Sequence, residues 1–231
     1  MTLSETDKYK KMAAEAAVDE YVEDGMTVGL GTGSTAYFAI KRLGERVSEE
    51  GLVLTCVSTS EESTELGKSC GLDVVPFEGT GRVDVTIDGA DEIDLQLQLI
   101  KGLGGALLRE KIIASATDME VIIADRSKFV DVLGAKTPLP VEVLGFGYER
   151  TGLALEKLGC VAELRMNGDS PFVTDGGNFI YDCRFESIDR PYFLETGINN
   201  IPGVVENGLF LNLASVALIA GENGVETFRV P

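Results

Sequence analysis

Histidine is missing from all 231 residues. That absence removes His-based triads, His metal ligands and His general bases at once, so any acid–base chemistry must use carboxylates, Lys, Tyr or Cys. Basic residues are scarce, with 20 Lys and Arg against 38 Asp and Glu and a net charge of −18. A nucleic-acid backbone or an anionic membrane surface needs the opposite balance, so neither is expected as a partner. The cysteines Cys56, Cys70, Cys160 and Cys183 form no C-x-x-C pair and no metal-ligand spacing. Three of them lie in or beside apolar runs, which predicts buried free thiols in a reducing compartment. No apolar run approaches the ~18 residues of a membrane span, and no apolar h-region follows the start, so a soluble, cytoplasmic protein is expected. Internal repeats and low-complexity segments are also absent.

What is present is enough apolar sequence, 44%, to bury a sizeable core in one large or two small domains. The excess acid is spread along the chain, as in "DEYVED", "SEEG" and "SEES", not gathered in a tail. It reads as a solvated acidic surface of the kind halophilic proteins use, with salt damping the self-repulsion; an ordinary acidic cytosolic protein is the alternative.

Along the chain, "SETDKYKKMAAEAAVDEYVED" opens with a Ser-x-x-Asp cap and continues alanine-rich, which predicts a helix. The strands "MTVGL", "LVLTCVS", "DVVPF", "VDVTI" and "EVIIAD" alternate with the helices "AYFAIKRLGERVSE", "SEESTELGKSCG" and "ALLREKIIASA". Nearly all-apolar strands alternating with helices imply a parallel sheet covered on both faces. After about residue 130 the pattern changes to a smaller α+β unit, in which "FVTDGGNFIYDCRF" reads as two strands around a D-G-G-N turn and "IDRPYFLETGIN" as a helix. The apolar runs "VVENGLFLNL" and "SVALIAG" then read as strands rejoining the first sheet. The division is 1–130 plus 204–231 for the larger domain and 131–203 for the smaller.

Three stretches carry chemistry. "VGLGTGSTAYF", residues 28 to 38, puts glycines between a strand and a helix, so the backbone can turn tightly and present helix N–H groups to an anion, with Ser34 and Thr35 adding hydroxyls. A capped helix after a tight turn would look the same without any ligand. Gly31, Gly33 and Ala36 also fit the dinucleotide pattern G-x-G-x-x-A, but the second strand ends in small hydroxyl residues, with Glu61 just beyond, where a ribose-binding acid should stand. No Walker loop is present. "VDVTIDGADEID", residues 83 to 94, ends a buried strand at Asp88 and continues with Gly89, Asp91, Glu92 and Asp94. Four acids beyond a strand end are costly unless they hold a cation or move protons. The alternation of a calcium loop is missing, and a magnesium site stays open.

The third stretch is "IKGLGGALLREKII", residues 100 to 113, with Glu110 inside an apolar helix. With Leu107 at zero, Glu110 falls at about 300° among Ala106, Ile113 and Ala114, while Leu108 and Ile112 take the other side at about 100° and 140°. Solvation explains Glu110 poorly, whereas Arg109 and Lys111 can snorkel. A carboxylate in apolar surroundings suits a general base, and Lys101 can meet a developing oxyanion.

Taken in order, "GLGTGSTA", "DGADEID", "KGLGGALLREK" and "ADRSKFVDVLG" resemble ribose-5-phosphate isomerase of the A type, and "PLPVEV", "VTDGGNFIYD" and "PGVVENGLF" extend the likeness over nearly the whole chain. The resemblance implies an α/β fold: a Rossmann-like domain with a mostly parallel sheet and an inserted smaller α+β (ferredoxin-like) domain. It implies interconversion of ribose 5-phosphate and ribulose 5-phosphate in the non-oxidative pentose phosphate pathway, without metal or cofactor. By the same likeness Glu110 is the base working through an enediolate, Asp88 assists ring opening, and Lys101 is the cation near the reacting oxygens. Thr32, Gly33, Ser34 and Thr35 match the substrate loop, with Ser34 and Thr35 placed at the phosphate. Gly89, Ala90 and Asp91 lie in the matched D-G-A-D, Gly102, Leu103 and Gly104 follow Lys101, and Lys128 matches a binding lysine, as Lys11 does in the first helix. The implied partner is a sugar phosphate, and family members are homodimers or homotetramers. Two departures stand out: Leu103 where the family usually has glycine, which could narrow the approach to the sugar, and Asn207 where many relatives carry histidine. A sugar-phosphate-sensing effector domain on the same scaffold is the alternative, though it would need no Glu110 and would carry a basic DNA-binding segment. A nucleotide-dependent oxidoreductase would rest on G-x-G-x-x-A alone.

Overall fold

The computed structural model describes residues 3–229. Two compact units are present: one runs to Ala90, resumes over Arg109–Lys128 and returns from Asn212, and the other comprises Asp91–Leu108 and Phe129–Leu211.

The first unit is a seven-stranded sheet in the order Gly224–Arg229, Val216–Gly221, Thr117–Asp125, Val83–Gly89, Thr27–Leu30, Thr55–Ser58, Asp73–Val74. Every neighbouring pair is parallel except the edge strand Gly224–Arg229, which folds back antiparallel on Val216–Gly221. Glu5–Tyr21 begins where Ser4 caps it, its hydroxyl accepting from the Asp7 N–H at 3.1 Å, as the Ser-x-x-Asp pattern requires. Its buried stripe of Ala13, Ala14, Ala17 and Val18 is short enough to let it settle against helix Ala36–Glu50 and the sheet residues Val28, Leu30, Val121 and Leu218. The opposite face carries a smaller cluster of Val57, Val83 and Ile113, the last from helix Leu107–Ser115. Both faces of the sheet are therefore covered, which is why its strands are nearly continuous in apolar residues.

The second unit holds the four-stranded antiparallel sheet Val204–Asn207, Leu139–Val143, Phe179–Arg184, Val161–Leu164, with helices Tyr148–Glu156 and Pro191–Asn199. In chain order this is strand–helix–strand–strand–helix–strand, the ferredoxin-like arrangement. Its core gathers Val141, Val143, Leu155, Tyr181, Ile198 and Leu209. A further three-stranded sheet, Leu209–Phe210, Leu99–Ile100 and Glu92–Ile93, belongs to the same unit.

Two strand expectations are corrected. Val216–Gly221 joins the large sheet, but Val204–Asn207 pairs with Leu139–Val143 and Leu209–Phe210 with Leu99–Ile100, so "VVENGLFLNL" stays in the second unit. Residues 91–108, 129–130 and 204–211, placed with the larger domain by sequence, lie in this unit too. The D-G-G-N turn forms, with Thr174 N–H bonded to Asn178 O at 2.9 Å, yet 172–174 is not a strand. Both edges of Phe179–Arg184 are already taken by Leu139–Val143 and Val161–Leu164, which leaves no ladder for a hairpin partner. Cys56, Cys160 and Cys183 are buried, Cys70 is half-buried, and all four are free thiols. Among the described residues, no helix is long and apolar enough to cross a membrane.

Candidate active site

In the first unit, parallel register brings several candidate residues to one edge of the sheet. Leu30 aligns with Ile87 and Gly89 with Ile123, so the carboxyl ends of three adjacent strands open into Gly31–Thr35, Asp88–Ala90 and Arg126–Lys128. Ligands of open α/β sheets bind at this edge. Gly31 is there for a close approach: a Cβ would fall 2.3 Å from Asp88 Oδ1 and 2.6 Å from Asp88 Cα. Asp88 Oδ1 in turn accepts from the N–H groups of Thr32 at 3.0 Å and Gly89 at 2.7 Å, which ties the strand end to the loop. A Cβ on Gly89 would stand 3.9 Å from both Thr32 O and Thr35 Cβ, so the two segments lie side by side.

The loop is braced from behind by hydroxyls. Thr32 Oγ1 bonds to Thr59 Oγ1 at 2.6 Å and donates to Ser60 Oγ at 2.8 Å, while Ser63 Oγ donates to Gly31 O at 2.6 Å. The small residues ending the second strand thus support the loop where a dinucleotide site would hold an acid, and Glu61 instead meets Arg109 at 2.8 Å. The Thr32 side chain is turned into this network, whereas Gly33 and Ser34 are exposed and Thr35 is half-exposed. Thr35 makes no side-chain cap to helix Ala36–Glu50, whose Tyr37 and Phe38 N–H groups bond instead to Gly33 O at 2.9 Å and Thr35 O at 3.1 Å, so the Thr35 hydroxyl is not spent on the helix.

Lys11 matches a binding lysine by resemblance, and its neighbour Lys10 is the one that reaches the loop. Lys10 Nζ donates to Ser34 Oγ at 3.0 Å, bringing a cation onto the loop. Lys11 Nζ lies 3.4 Å from Glu15 on the helix surface. A usable signal existed: Lys10 stands three, four and seven positions before Ala13, Ala14 and Ala17, the buried stripe. Lys128 ends a single 3-10 turn after the strand Thr117–Asp125 and is half-buried.

Glu110 is 6% exposed in the first turn of helix Leu107–Ser115. The face assigned to it is the buried one, with Ile113 and Ala114 at 2% and 3%, while Ile112 on the other side is 46% exposed. The helix leads back to the start of strand Thr117–Asp125, so its first turn, with Glu110, points toward the carboxyl edge of the sheet.

The second unit holds Asp91, Lys101, Gly102, Leu103 and Gly104. Lys101 is 2% exposed, its backbone N–H bonded to Gly208 O at 2.9 Å and its ammonium 5.4 Å from the Phe210 ring centroid. Asp91 Oδ2 accepts from the Leu103 N–H at 2.9 Å. Leu103 carries an ordinary negative φ, since the left-handed positions of the loop are Gly102 at 105° and Gly105 at 85°, so leucine introduces no backbone strain. Its side chain is 38% exposed.

The other acids of "DGADEID" have structural work. Glu92, fully buried, accepts from the N–H groups of Gly134, Lys136 and Thr137 at 2.7, 2.7 and 2.6 Å. Asp94 Oδ1 accepts from the N–H groups of Gln96 and Gln98, and burial nonetheless pushes its carboxyl above the ordinary value. The cluster that looked costly as a group is thus divided among separate loops. Among the described residues, no group of three or more Cys, Asp or Glu is placed to hold a metal ion. Asn207, the other departure, is fully buried and bonds Asn199 Oδ1 at 2.8 Å and the Leu209 N–H at 2.9 Å, a structural role that asks for no ionisable group.

A sequence model of the family Ribose 5-phosphate isomerase A (phosphoriboisomerase A) matches residues 55–224. A ribose-5-phosphate isomerase A of Gloeobacter violaceus is 52% identical over 95% of this chain and 95% of its own length. Ribose 5-phosphate isomerase from Plasmodium falciparum superposes with a TM-score of 0.93 at 40% identity, covering 96% of this chain and 98% of that one. A D-ribose-5-phosphate isomerase in complex with phospho-erythronic acid gives 0.95 at 38% identity, covering 98% and 100%. With fold, motifs and full-length likeness in agreement, the chain belongs to the ribose 5-phosphate isomerase A family.

Proposed function

We propose that this chain interconverts D-ribose 5-phosphate and D-ribulose 5-phosphate, with Glu110 as the base that carries a proton between carbons 1 and 2 through an enediolate. The observation that carries the reading is Glu110 itself: a carboxylate 6% exposed, in the first turn of a helix directed at the carboxyl edge of the sheet. A buried carboxylate at that edge suits proton transfer. Lys101 meets the negative charge that develops on the sugar oxygens, and Asp88, held by Thr32 and Gly89, assists ring opening. Ser34, Thr35, the first turn of helix Ala36–Glu50 and Lys10 take the phosphate, with Gly33 giving the backbone room to approach it. Thr32 shapes the loop through its hydroxyl network. Gly89, Ala90, Asp91, Gly102, Leu103, Gly104 and Lys128 complete the assignment of substrate-binding positions.

A sugar phosphate as substrate class is supported by the relative solved with phospho-erythronic acid, a phosphorylated sugar acid. The pathway assigned is the non-oxidative pentose phosphate pathway, the state a homodimer or homotetramer, and the compartment the cytoplasm. The acidic surface is assigned to function in high salt. The alternative of a sugar-phosphate-sensing domain is not favoured, because relatives matching nearly the whole chain are named isomerases. A coupled assay for conversion of ribose 5-phosphate to ribulose 5-phosphate, run across salt concentrations with and without EDTA, tests the proposal. Turnover that EDTA leaves unchanged is expected; no turnover at any salt concentration would overturn it.

A further inference from the structure

Arg165 lies outside every chemical motif discussed above, yet its side chain ends on the loop that follows Lys101. Its Nε and Nη2 donate to the two oxygens of Asp182 at 2.9 and 2.5 Å. Its Nη1 donates to two successive carbonyls, Gly102 O at 3.0 Å and Leu103 O at 3.1 Å. The pair is largely enclosed, with side-chain exposures of 14% for Arg165 and 22% for Asp182. The guanidinium carbon sits 5.8 Å from the Phe172 ring centroid. That ring abuts the same loop further on, where a Cβ at Gly105 would fall 2.6 Å from it. The backbone beneath is pinned as well, with Arg165 N–H bonded to Ile180 O and Phe172 N–H to Arg165 O, both at 2.8 Å.

This arrangement answers a mechanical need. The segment "KGLGG" has three glycines in the four positions after Lys101 and little stiffness of its own. A planar fork can hold a carboxylate with one edge and two carbonyls with the remaining nitrogen, which a flexible ammonium cannot reproduce. Asp182 fixes the plane of the guanidinium and compensates its charge, without which an enclosed cation would be unfavourable. From the other side Asp91 takes the Leu103 N–H. The Leu103 backbone is thus gripped by a carboxylate at its N–H and a guanidinium at its carbonyl.

We infer that Arg165, oriented by Asp182, is a positioning residue for the isomerisation: it fixes the Gly102 and Leu103 carbonyls and thereby the Lys101 ammonium. The inference rests on the reading of Lys101 as the partner of the developing oxyanion. That partner acts as charge develops, whereas Gly102 and Leu103 are also proposed substrate-binding positions, so loosening the loop lowers kcat by more than it raises KM.

The test is steady-state kinetics on ribose 5-phosphate for the full chain, Arg165→Ala and Arg165→Lys, with thermal melts of each. Arg165→Ala is expected to lose about tenfold or more in kcat, with a smaller rise in KM, since small misplacements of a catalytic group are amplified in rate. Added guanidinium ion, below denaturing concentration, restores part of that kcat. Arg165→Lys keeps the charge without the fork and remains well below the parent in kcat. A merely structural role would lower the melting temperature while folded enzyme kept its kcat, and that result overturns the inference. If the alanine variant does not fold, the lysine variant decides: a fall in kcat larger than the rise in KM supports the inference, and any other result overturns it. A parent chain with no turnover would sink the isomerase reading itself, and this inference with it.

Discussion

The Lys10 ammonium donates to the Ser34 hydroxyl at 3.0 Å, which joins the first helix to the glycine loop between strand Thr27–Leu30 and helix Ala36–Glu50. Lys10 is held there with its side chain only 16% exposed and Asp7 3.8 Å away. A cation in that position complements the phosphate that the loop is proposed to take. Lys10→Ala should therefore raise KM about tenfold with little change in kcat, the loss of one charge-assisted hydrogen bond of about 1.5 kcal/mol. Lys11→Ala, which removes only the surface pair with Glu15, should leave both constants unchanged. Equal effects of the two substitutions would return the assignment to Lys11 or to neither.

Leu103, where the resemblance leads one to expect glycine, does not need a glycine conformation. Leu103→Gly should keep kcat/KM within about threefold and cost stability of about 0.5–1 kcal/mol, through the greater freedom glycine gives the unfolded chain. Kinetics and thermal melts on the one variant check both. A large gain in kcat/KM would mean that the leucine side chain obstructs the substrate.

Glu142 is 1% exposed in strand Leu139–Val143 and accepts from Thr174 Oγ1 and Asn178 Nδ2, each at 2.9 Å. Burial pushes its carboxyl up; the two donors oppose the shift, and the charges of Asp175 and Glu206 add to it. A raised folded value means the folded chain holds this proton more tightly than the unfolded one. The penalty is absent below the ordinary value of 4.5, grows as pH rises from there to the folded value, and is then constant. Glu142→Gln, which keeps an acceptor for both donors, should gain on the parent in melting temperature across that window. Parallel melting curves from pH 4 to 8 would contradict the assignment.

Much of this was legible in the chain because local chemistry decides it. Ser4 and Asp7 set a cap, apolar runs between helices set a parallel sheet, and the angular neighbours of Glu110 marked its face as buried. The misses share a cause, which is that the partner is distant in sequence. "VVEN" is as apolar as a strand of the large sheet, and only the packing assigns it to Leu139–Val143. Arg165 meets Gly102 and Asp182 across long loops, with no spacing to announce it. Lys10 and Lys11 differ by one position, and the alanine stripe that separates them speaks only once the helix is known to pack on that side. The acids of "DGADEID" could be counted from sequence, but the N–H groups that occupy Glu92 and Asp94 come from loops that folding brings to them.

The central claim is that Glu110 is the base, and Glu110→Gln tests it most directly because the amide keeps size and polarity while removing the proton acceptor. Ribose 5-phosphate binding by calorimetry and turnover by the coupled assay should be measured on the same preparation. Retained binding with turnover reduced by about 10²-fold or more is the predicted result. Turnover near that of the parent would contradict the account.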